Sequence, residues 1–211
     1  MGDTPTRILR LDTSMRQQGS VGRALMDRLT NHLTSAMPTC EYARRDLKSG
    51  LGHTSSAWRT ASLTDPESRS AEDRAVLAQS EALVAELDRA DILVIAMPVY
   101  NFSVPTSFRA WIDLVCRDNV DGGCASDTTA RPRDKHAIVV LTSNYTLAGG
   151  TDDFVTGYVD FILKFIGAKD VQIINATGLG NDRDAVIAAA EASIDTAAAR
   201  IVESSLSTAA E

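Results

Sequence analysis

The 211-residue sequence predicts an α/β fold, a three-layer sandwich with a five-stranded parallel sheet most simply in the order 2-1-3-4-5. Three observations predict it. Short apolar runs alternate with longer amphipathic stretches, the pattern of stacked βα units. The run over 92–97, Ile-Leu-Val-Ile-Ala-Met, is continuous and largely β-branched, as suits a central strand buried on both faces. No internal repeat and no linker divides the chain, so residues 1–211 read as one domain, a length that fills one core well and two poorly.

The elements follow in order. Ile8-Leu9-Arg10-Leu11 forms the first strand and ends at Asp12. A helix over 20–36 places Val21, Leu25, Leu29 and Leu33 on one face, and Pro38 closes it. A second strand over 40–46 is expected despite Arg44 and Arg45, which break its apolar run. Residues 47–70, rich in Ser, Thr and Gly, show no clear period, and such long excursions are usually functional or mobile. A helix over 72–90 carries Val76, Leu83, Val84 and Leu87 as its buried stripe, and the strand over 92–97 follows. Pro105 and Thr106 open a helix through Phe108, Trp111, Ile112 and Val115. A polar loop over 118–134 leads to a strand over 137–141. A helix over 154–166, a strand over 171–174 and a closing helix from Asp182 towards Leu206 complete the chain, with Asp182 as its N-terminal cap.

Composition limits the function. The chain has 21 basic against 28 acidic side chains, a net charge of -7, which argues against a nucleic-acid or anionic-membrane surface. No apolar run approaches the ~20 residues that span a bilayer, and residues 1–5 lack a secretory signal, so a cytoplasmic location is expected. Cys40, Cys116 and Cys124 have neither CxxC nor zinc spacing and read as reduced thiols. His32, His53 and His136 are scattered and read as non-catalytic, although His53 lies in the excursion that could fold over a site. Asp152 and Asp153 fit a helix start better than a metal site, and no metal is expected.

In open parallel sheets, ligands bind at the carboxyl ends of the strands where strand order reverses. The loops after the first, third and fourth strands are therefore the candidates. The first, over 13–22, carries hydroxyls and glycines and feeds a helix N-terminus, where backbone N–H groups suit a phosphate and Ser14, Arg16 and Ser20 add donors. An ordinary capped helix start fits this loop equally well. Neither a G-x-x-x-x-G-K-S/T phosphate loop nor a G-x-G-x-x-G dinucleotide fingerprint is present. The third loop, Pro98-Val99-Tyr100-Asn101-Phe102-Ser103-Val104-Pro105, offers two aromatics as a flat wall and an amide. Read alone, those aromatics would more simply close the end of the core.

A resemblance bears on that choice. Ala96-Met97-Pro98-Val99-Tyr100-Asn101-Phe102, followed by Pro105-Thr106 and by Ala110-Trp111-Ile112-Asp113-Leu114-Val115, resembles the P-x-Y-N-F signature and following helix of the FMN-dependent NADH-azoreductases and related NAD(P)H:quinone oxidoreductases. Leu11-Asp12-Thr13-Ser14 with Ser20 is similar to that family's phosphate loop, and Phe165-Ile166-Gly167 to its F-I/L-G before the last strand. The resemblance implies a flavodoxin-like fold, a homodimer with a site completed by both subunits, FMN as cofactor and NADH or NADPH as reductant. It implies that Ser14, Ser20, Val21 and Gly22 hold the phosphate and ribityl chain, and that Pro98, Val99, Tyr100, Asn101 and Phe102 line the ring. Ser143, Asn144, Tyr145 and Thr146 would lie along the flavin edge. The flavin would carry the chemistry, so no catalytic side chain is required.

Two segments depart from the family pattern. Where the family has T-S-R-G-G, this chain reads Thr142-Ser143-Asn144-Tyr145-Thr146-Leu147-Ala148-Gly149-Gly150, so that Tyr145 either clashes with the ring or stacks over it. The loop over 117–135 lacks the family's aromatics, which implies a more polar or more open pocket. The leading expectation is an oxidoreductase that reduces quinone-like or azo aromatic acceptors by ping-pong hydride transfer. The alternatives are an enzyme on the same scaffold with a dedicated substrate, and a flavin-free binding module.

Overall fold

A computed structural model describes residues 5–116 and 135–208, the side chains of 205–208 excepted. The strands β1 (Arg7–Asp12), β2 (Glu41–Asp46), β3 (Ile92–Pro98), β4 (Lys135–Thr142) and β5 (Ala168–Ala176) form one parallel sheet in the order β2-β1-β3-β4-β5. The helices are α1 (Val21–Ala36), α2 (Ser56–Leu63), α3 (Ala71–Arg89), α4 (Thr106–Val115), α5 (Thr156–Phe165) and α6 (Arg183–Thr208). The expected fold class, strand order and alternation of elements are all present.

Strand alternation divides the core in two. Leu9, Leu11, Leu93, Ile95, Met97, Val139 and Leu141 face α3, α4 and α5. Ile8, Ile92, Val94, Ala96, Ile138 and Val140 face α1 and α6, where Leu25, Leu29, Leu33, Ile194 and Ile201 meet them. The central strands β3 and β4 are therefore buried at nearly every position, as expected of a sheet covered on both sides. The edge strand β2 is mostly exposed, which accounts for its arginines: polar edges resist unwanted pairing.

Two sequence expectations are corrected. Residues 47–70 are not without period: Ser55 caps α2 through the Trp58 amide, and Trp58 and Ala61 are buried. Two apolar positions three residues apart were too short a signal to mark it. Gly52 donates to the Gln79 side chain, so the excursion leans on α3. Val76 is exposed and Leu77 takes its place, because the stripe of α3 runs through Leu77, Ser80, Val84 and Leu87. Asp182 caps α6 as expected, accepting from the Ala185 amide at 3.1 Å. The polar loop over 118–134, with Cys124 and the departure from the family pattern read there, lies outside the described residues.

The face of β1 towards α1 reads Ile8, Arg10, Asp12, and two of these three are charged. Asp12 is fully buried and accepts from Arg10 at 3.1 Å, Arg44 at 2.6 Å and Arg23 at 3.2 Å. Arg10 also reaches Asp27 at 2.5 Å, and Arg23 grips Asp46 at 2.8 and 3.0 Å. Three arginines thus face three aspartates across β1, β2 and α1. Burial pushes the Asp46 carboxyl up, but the Arg23 guanidinium and the Lys48 amide outweigh burial and hold it below the usual carboxylate range.

Removing one partner from such a buried set leaves an uncompensated charge, at a cost of several kcal/mol. Asp12→Asn is therefore expected to destabilise the chain by about 3 kcal/mol in denaturant unfolding. A loss below about 1 kcal/mol would show that Arg10 and Arg23 do not depend on that carboxylate.

Candidate functional site

The sheet register sets the ends of three loops side by side. Asp12 pairs with Ala96, and Pro98 with Thr142, so the chain leaves β1, β3 and β4 at one level, beside the reversal of strand order between β1 and β3. Hydrogen bonds lock these exits together: Thr13 Oγ1 donates to the Ala96 carbonyl at 2.7 Å, and the Val99 amide to the Thr142 carbonyl at 2.8 Å.

The first loop takes its course from Arg23. That guanidinium donates to the main-chain carbonyls of Ser14 at 2.7 Å and Arg16 at 3.1 Å, while Asp12 and Asp46 hold it from behind. With those carbonyls drawn inward, the Ser14 hydroxyl gathers the Arg16 amide at 3.3 Å, Tyr100 Oη at 3.4 Å and Ser20 Oγ at 3.5 Å. Ser20 caps α1 by accepting from the Arg23 amide at 3.4 Å. Gly22, in the first turn, faces the end of β4, where a Cβ would stand 3.4 Å from the Thr142 side chain. The result is a cluster of hydroxyls at a helix N-terminus with close backbone approach.

The third loop makes a tight turn. Tyr100 and Ser103 exchange both backbone hydrogen bonds, at 2.9 and 3.0 Å, and Asn101 and Phe102 between them adopt φ of 49° and 62°. Two left-handed central residues match the primed hairpin turns, which glycine and asparagine favour. Phenylalanine there costs about 1 kcal/mol, the kind of strain found where a side chain must be presented. Tyr100 is 38% exposed and Phe102 53%, so these aromatics do not close the core. Phe108 and Trp111 do that, both buried and stacked with ring centroids 5.8 Å apart.

In the fourth loop, Ser143 Oγ donates to the Thr146 carbonyl, and the Leu179 and Gly180 amides donate to the carbonyls of Ser143 and Asn144 at 3.0 and 2.9 Å. Tyr145 is 76% exposed and leans on Gly180, whose missing Cβ would lie 2.6 Å from the ring. Leu147 likewise rests on Gly178, which has a φ of 83°. The glycines needed for close approach thus stand on the facing loop after β5. Asp153 ties the end of this loop to α5, accepting from the Gly149, Val155 and Thr156 amides at 2.7, 3.0 and 2.9 Å. Burial pushes its carboxyl up, but bonds from Thr156, Gly149 and Val155 outweigh burial and lower it to about 2.

These loops enclose a cleft of about 570 Å³, a volume typical of small-molecule sites. All thirteen residues expected at the site, from Ser14 to Gly22, Pro98 to Phe102 and Ser143 to Thr146, line it. The cleft also takes in Arg16, Thr142, Asp152, Leu179 and Arg183. Arg16 was a candidate donor in the sequence; the others were not foreseen. Nor was the tether Arg23, although Asp12 and Asp46 end adjacent strands in direct register and two such carboxylates require a cation. None of the three histidines lines the cleft, so the excursion holding His53 does not cover it. Cys40 and Cys116 are partly buried, and burial pushes the Cys40 thiol up. Among the described residues no group of His, Cys, Asp or Glu has the geometry of a metal site, and no helix is long and apolar enough to cross a membrane.

A family model described as a flavodoxin-like fold matches residues 6–201. Over 193 residues the chain is 39% identical to FMN-dependent NADH:quinone oxidoreductase 1 of Colwellia psychrerythraea, covering 89% of this chain and 98% of that one. It is 37% identical over 198 residues to the protein of the same name from Hahella chejuensis, covering 93% and 97%. The chain belongs to this flavodoxin-like family of FMN-dependent NADH:quinone oxidoreductases. Among solved structures, an FMN-dependent NADH-azoreductase from Bacillus anthracis, determined in complex with FMN, superposes with a TM-score of 0.78 over 93% of this chain and 99% of its own, at 15% identity. The azoreductase AzrA superposes with a TM-score of 0.80 over 92% and 100%, at 18% identity. At these identities the structural likeness speaks for the fold.

The low Asp153 carboxyl has a consequence for pH. A carboxylate held below its unfolded value near 3.9 stabilises the fold fully above that value, and the contribution is lost as pH falls towards 2. Thermal unfolding between pH 5 and pH 2 should show a steep loss of stability below about pH 4. Asp153→Asn should be less stable at neutral pH and lose less over that window; equal slopes for both proteins would contradict the assignment.

Proposed function

We propose that the cleft binds FMN and that the protein is an FMN-dependent NAD(P)H oxidoreductase that reduces quinone-like or azo acceptors. The observation that carries this reading is the convergence of one hydroxyl-rich helix start and two exposed aromatics on a single cleft. The names of the relatives support the cofactor and reductant, and the FMN complex of the Bacillus anthracis neighbour supports the same cofactor.

The residues present fit the group. The Ser14 and Ser20 hydroxyls and the first amides of α1 would hold the phosphate, and Gly22 leaves open the space that a side chain would fill. Tyr100 and Phe102 would form the wall of the ring site, with Asn101 and the Ser143–Thr146 turn along its edge. When bound, FMN supplies hydride acceptance from a nicotinamide and hydride donation to an acceptor. The chain contributes orientation and the exclusion of water. One open cleft serves both partners, so reductant and acceptor would use it in turn, a ping-pong order. Tyr145, where the family resemblance implies glycine, favours a second reading with one dedicated acceptor, which a panel of quinones and azo dyes would separate from broad activity.

The expected protein is yellow as purified, with a flavin absorbance band that bleaches on adding NADH or NADPH and returns when a quinone is added. Colourless protein that neither quenches FMN fluorescence nor gains the band would leave a flavin-free binding module.

A homodimer with a cytoplasmic location completes the proposal. Phe154 and Phe161 of the α5 segment are exposed, and a groove of about 510 Å³ lined by Phe154, Tyr158, Tyr100 and Asn101 adjoins the cleft. Two copies meeting there would complete the site. Sedimentation should then give twice the 22.6 kDa chain mass, and Phe161→Glu should shift it towards the monomer; a wild-type monomer at micromolar concentration would refute this contact.

A further inference from the structure

Two exposed arginines, Arg16 and Arg183, line the cleft. Arg16 follows the Ser14 turn, and Arg183 opens α6, whose body packs against α1. Both line the cleft, and Arg183 also borders a groove of about 390 Å³ between α1 and α6 that shares Ser20 and Val21 with it. Arg183 therefore stands at the serine end rather than the aromatic end.

In this acidic chain, arginine side chains are mostly matched to carboxylates: Arg7, Arg10, Arg23, Arg28, Arg44, Arg45, Arg69, Arg109 and Arg200 all form ion pairs. Among the described residues, the side chains of Arg16 and Arg183 make neither an ion pair nor a hydrogen bond. The neighbouring Asp182 carboxylate is engaged by the Ala185 amide. Position adds to this. A cation in the first turn of a helix opposes the helix dipole, and here a second helix, α1, directs its own positive end at the same region. Two exposed guanidiniums and the start of α1 thus bring positive charge to a cleft whose lining includes one carboxylate, Asp152. The Ser14 hydroxyl, nine-tenths buried, sits in the same place with only long contacts of 3.3–3.5 Å.

We propose that Arg183, with Arg16, forms a cationic clamp on the phosphate of the bound flavin, so that this cleft selects a phosphorylated flavin over riboflavin. The proposal rests on the FMN reading above and goes beyond it by assigning the affinity for the phosphate to a residue of the last helix. A guanidinium suits this task because its planar fork meets two phosphate oxygens at once.

The test is a fluorescence titration of flavin-free protein with FMN and, separately, riboflavin. Wild type, Arg183→Ala, Arg183→Lys and Arg16→Ala are compared, with thermal unfolding to confirm that each variant is folded. Arg183→Ala should weaken FMN about tenfold, as expected for one charge-assisted contact, and leave riboflavin unchanged. Arg183→Lys should retain part of the affinity, and added salt should narrow the gap between wild type and Arg183→Ala. Equal weakening of both flavins, or no change in either, would overturn the clamp. So would a wild type that binds FMN and riboflavin equally, while the FMN reading would stand. A wild type that binds neither flavin removes both.

Discussion

A carboxylate without access to water, Asp12 at the end of β1, organises the part of the fold from which the cleft is built. Burying it is costly unless several donors surround it. Arg10, Arg23 and Arg44 do so from β1, α1 and β2. The constraint passes outward through Arg23, because the guanidinium held by Asp12 and Asp46 is the one that draws in the carbonyls of Ser14 and Arg16. The direction of the Ser14 hydroxyl thus follows from charge balance inside the core. A purely apolar seam of the same volume could be at least as stable, but it would not aim the loop.

The rest of the cleft is held by weaker means. The Tyr100–Ser103 turn stores left-handed conformations at Asn101 and Phe102 and leaves its aromatics largely in water. The fourth loop is tied by backbone bonds to the loop after β5 and by Asp153 to α5. One end is therefore a polar, pre-formed pocket, and the other a rim of exposed Tyr100, Phe102 and Tyr145. That division suits a ligand with an anionic tail held permanently and a flat face left open to exchanging partners.

Much of this was legible in the sequence, for physical reasons that differ by element. The strands β3 and β4 declared themselves because burial on both faces leaves an unbroken apolar run, and Pro105-Thr106 marked the start of α4. The three loops could be named because strand order places them together. Side-chain contacts across the chain were less accessible. Arg10 was read simply as part of the first strand, and only the structure shows it beside Asp12 and Asp27. Arg44 and Arg45 weakened β2 as a reading because the edge position that tolerates them depends on the whole sheet. The short α2 offered just Trp58 and Ala61 as signal. Arg183 lies in a region where the sequence has only a helix start, and its place beside Ser20 arises from the packing of α6 on α1.

Tyr145 shows most clearly why a loop motif cannot be judged by its own residues. A family pattern with glycines at this point suggests that a tyrosine must either block the ring site or cover it. The structure offers a third arrangement, in which the ring moves outward onto Gly180 and Leu147 onto Gly178. The requirement for glycine is met by the opposite loop, since close approach needs one small partner and not a particular one. The cost is that Gly180 cannot accept a side chain without displacing the tyrosine. The benefit is an exposed aromatic ring in the lining of the cleft. If the cleft binds FMN as proposed, acceptor preference would be set by Tyr145 and Gly180 jointly, and affinity for the cofactor by the serines and arginines that line the same cleft.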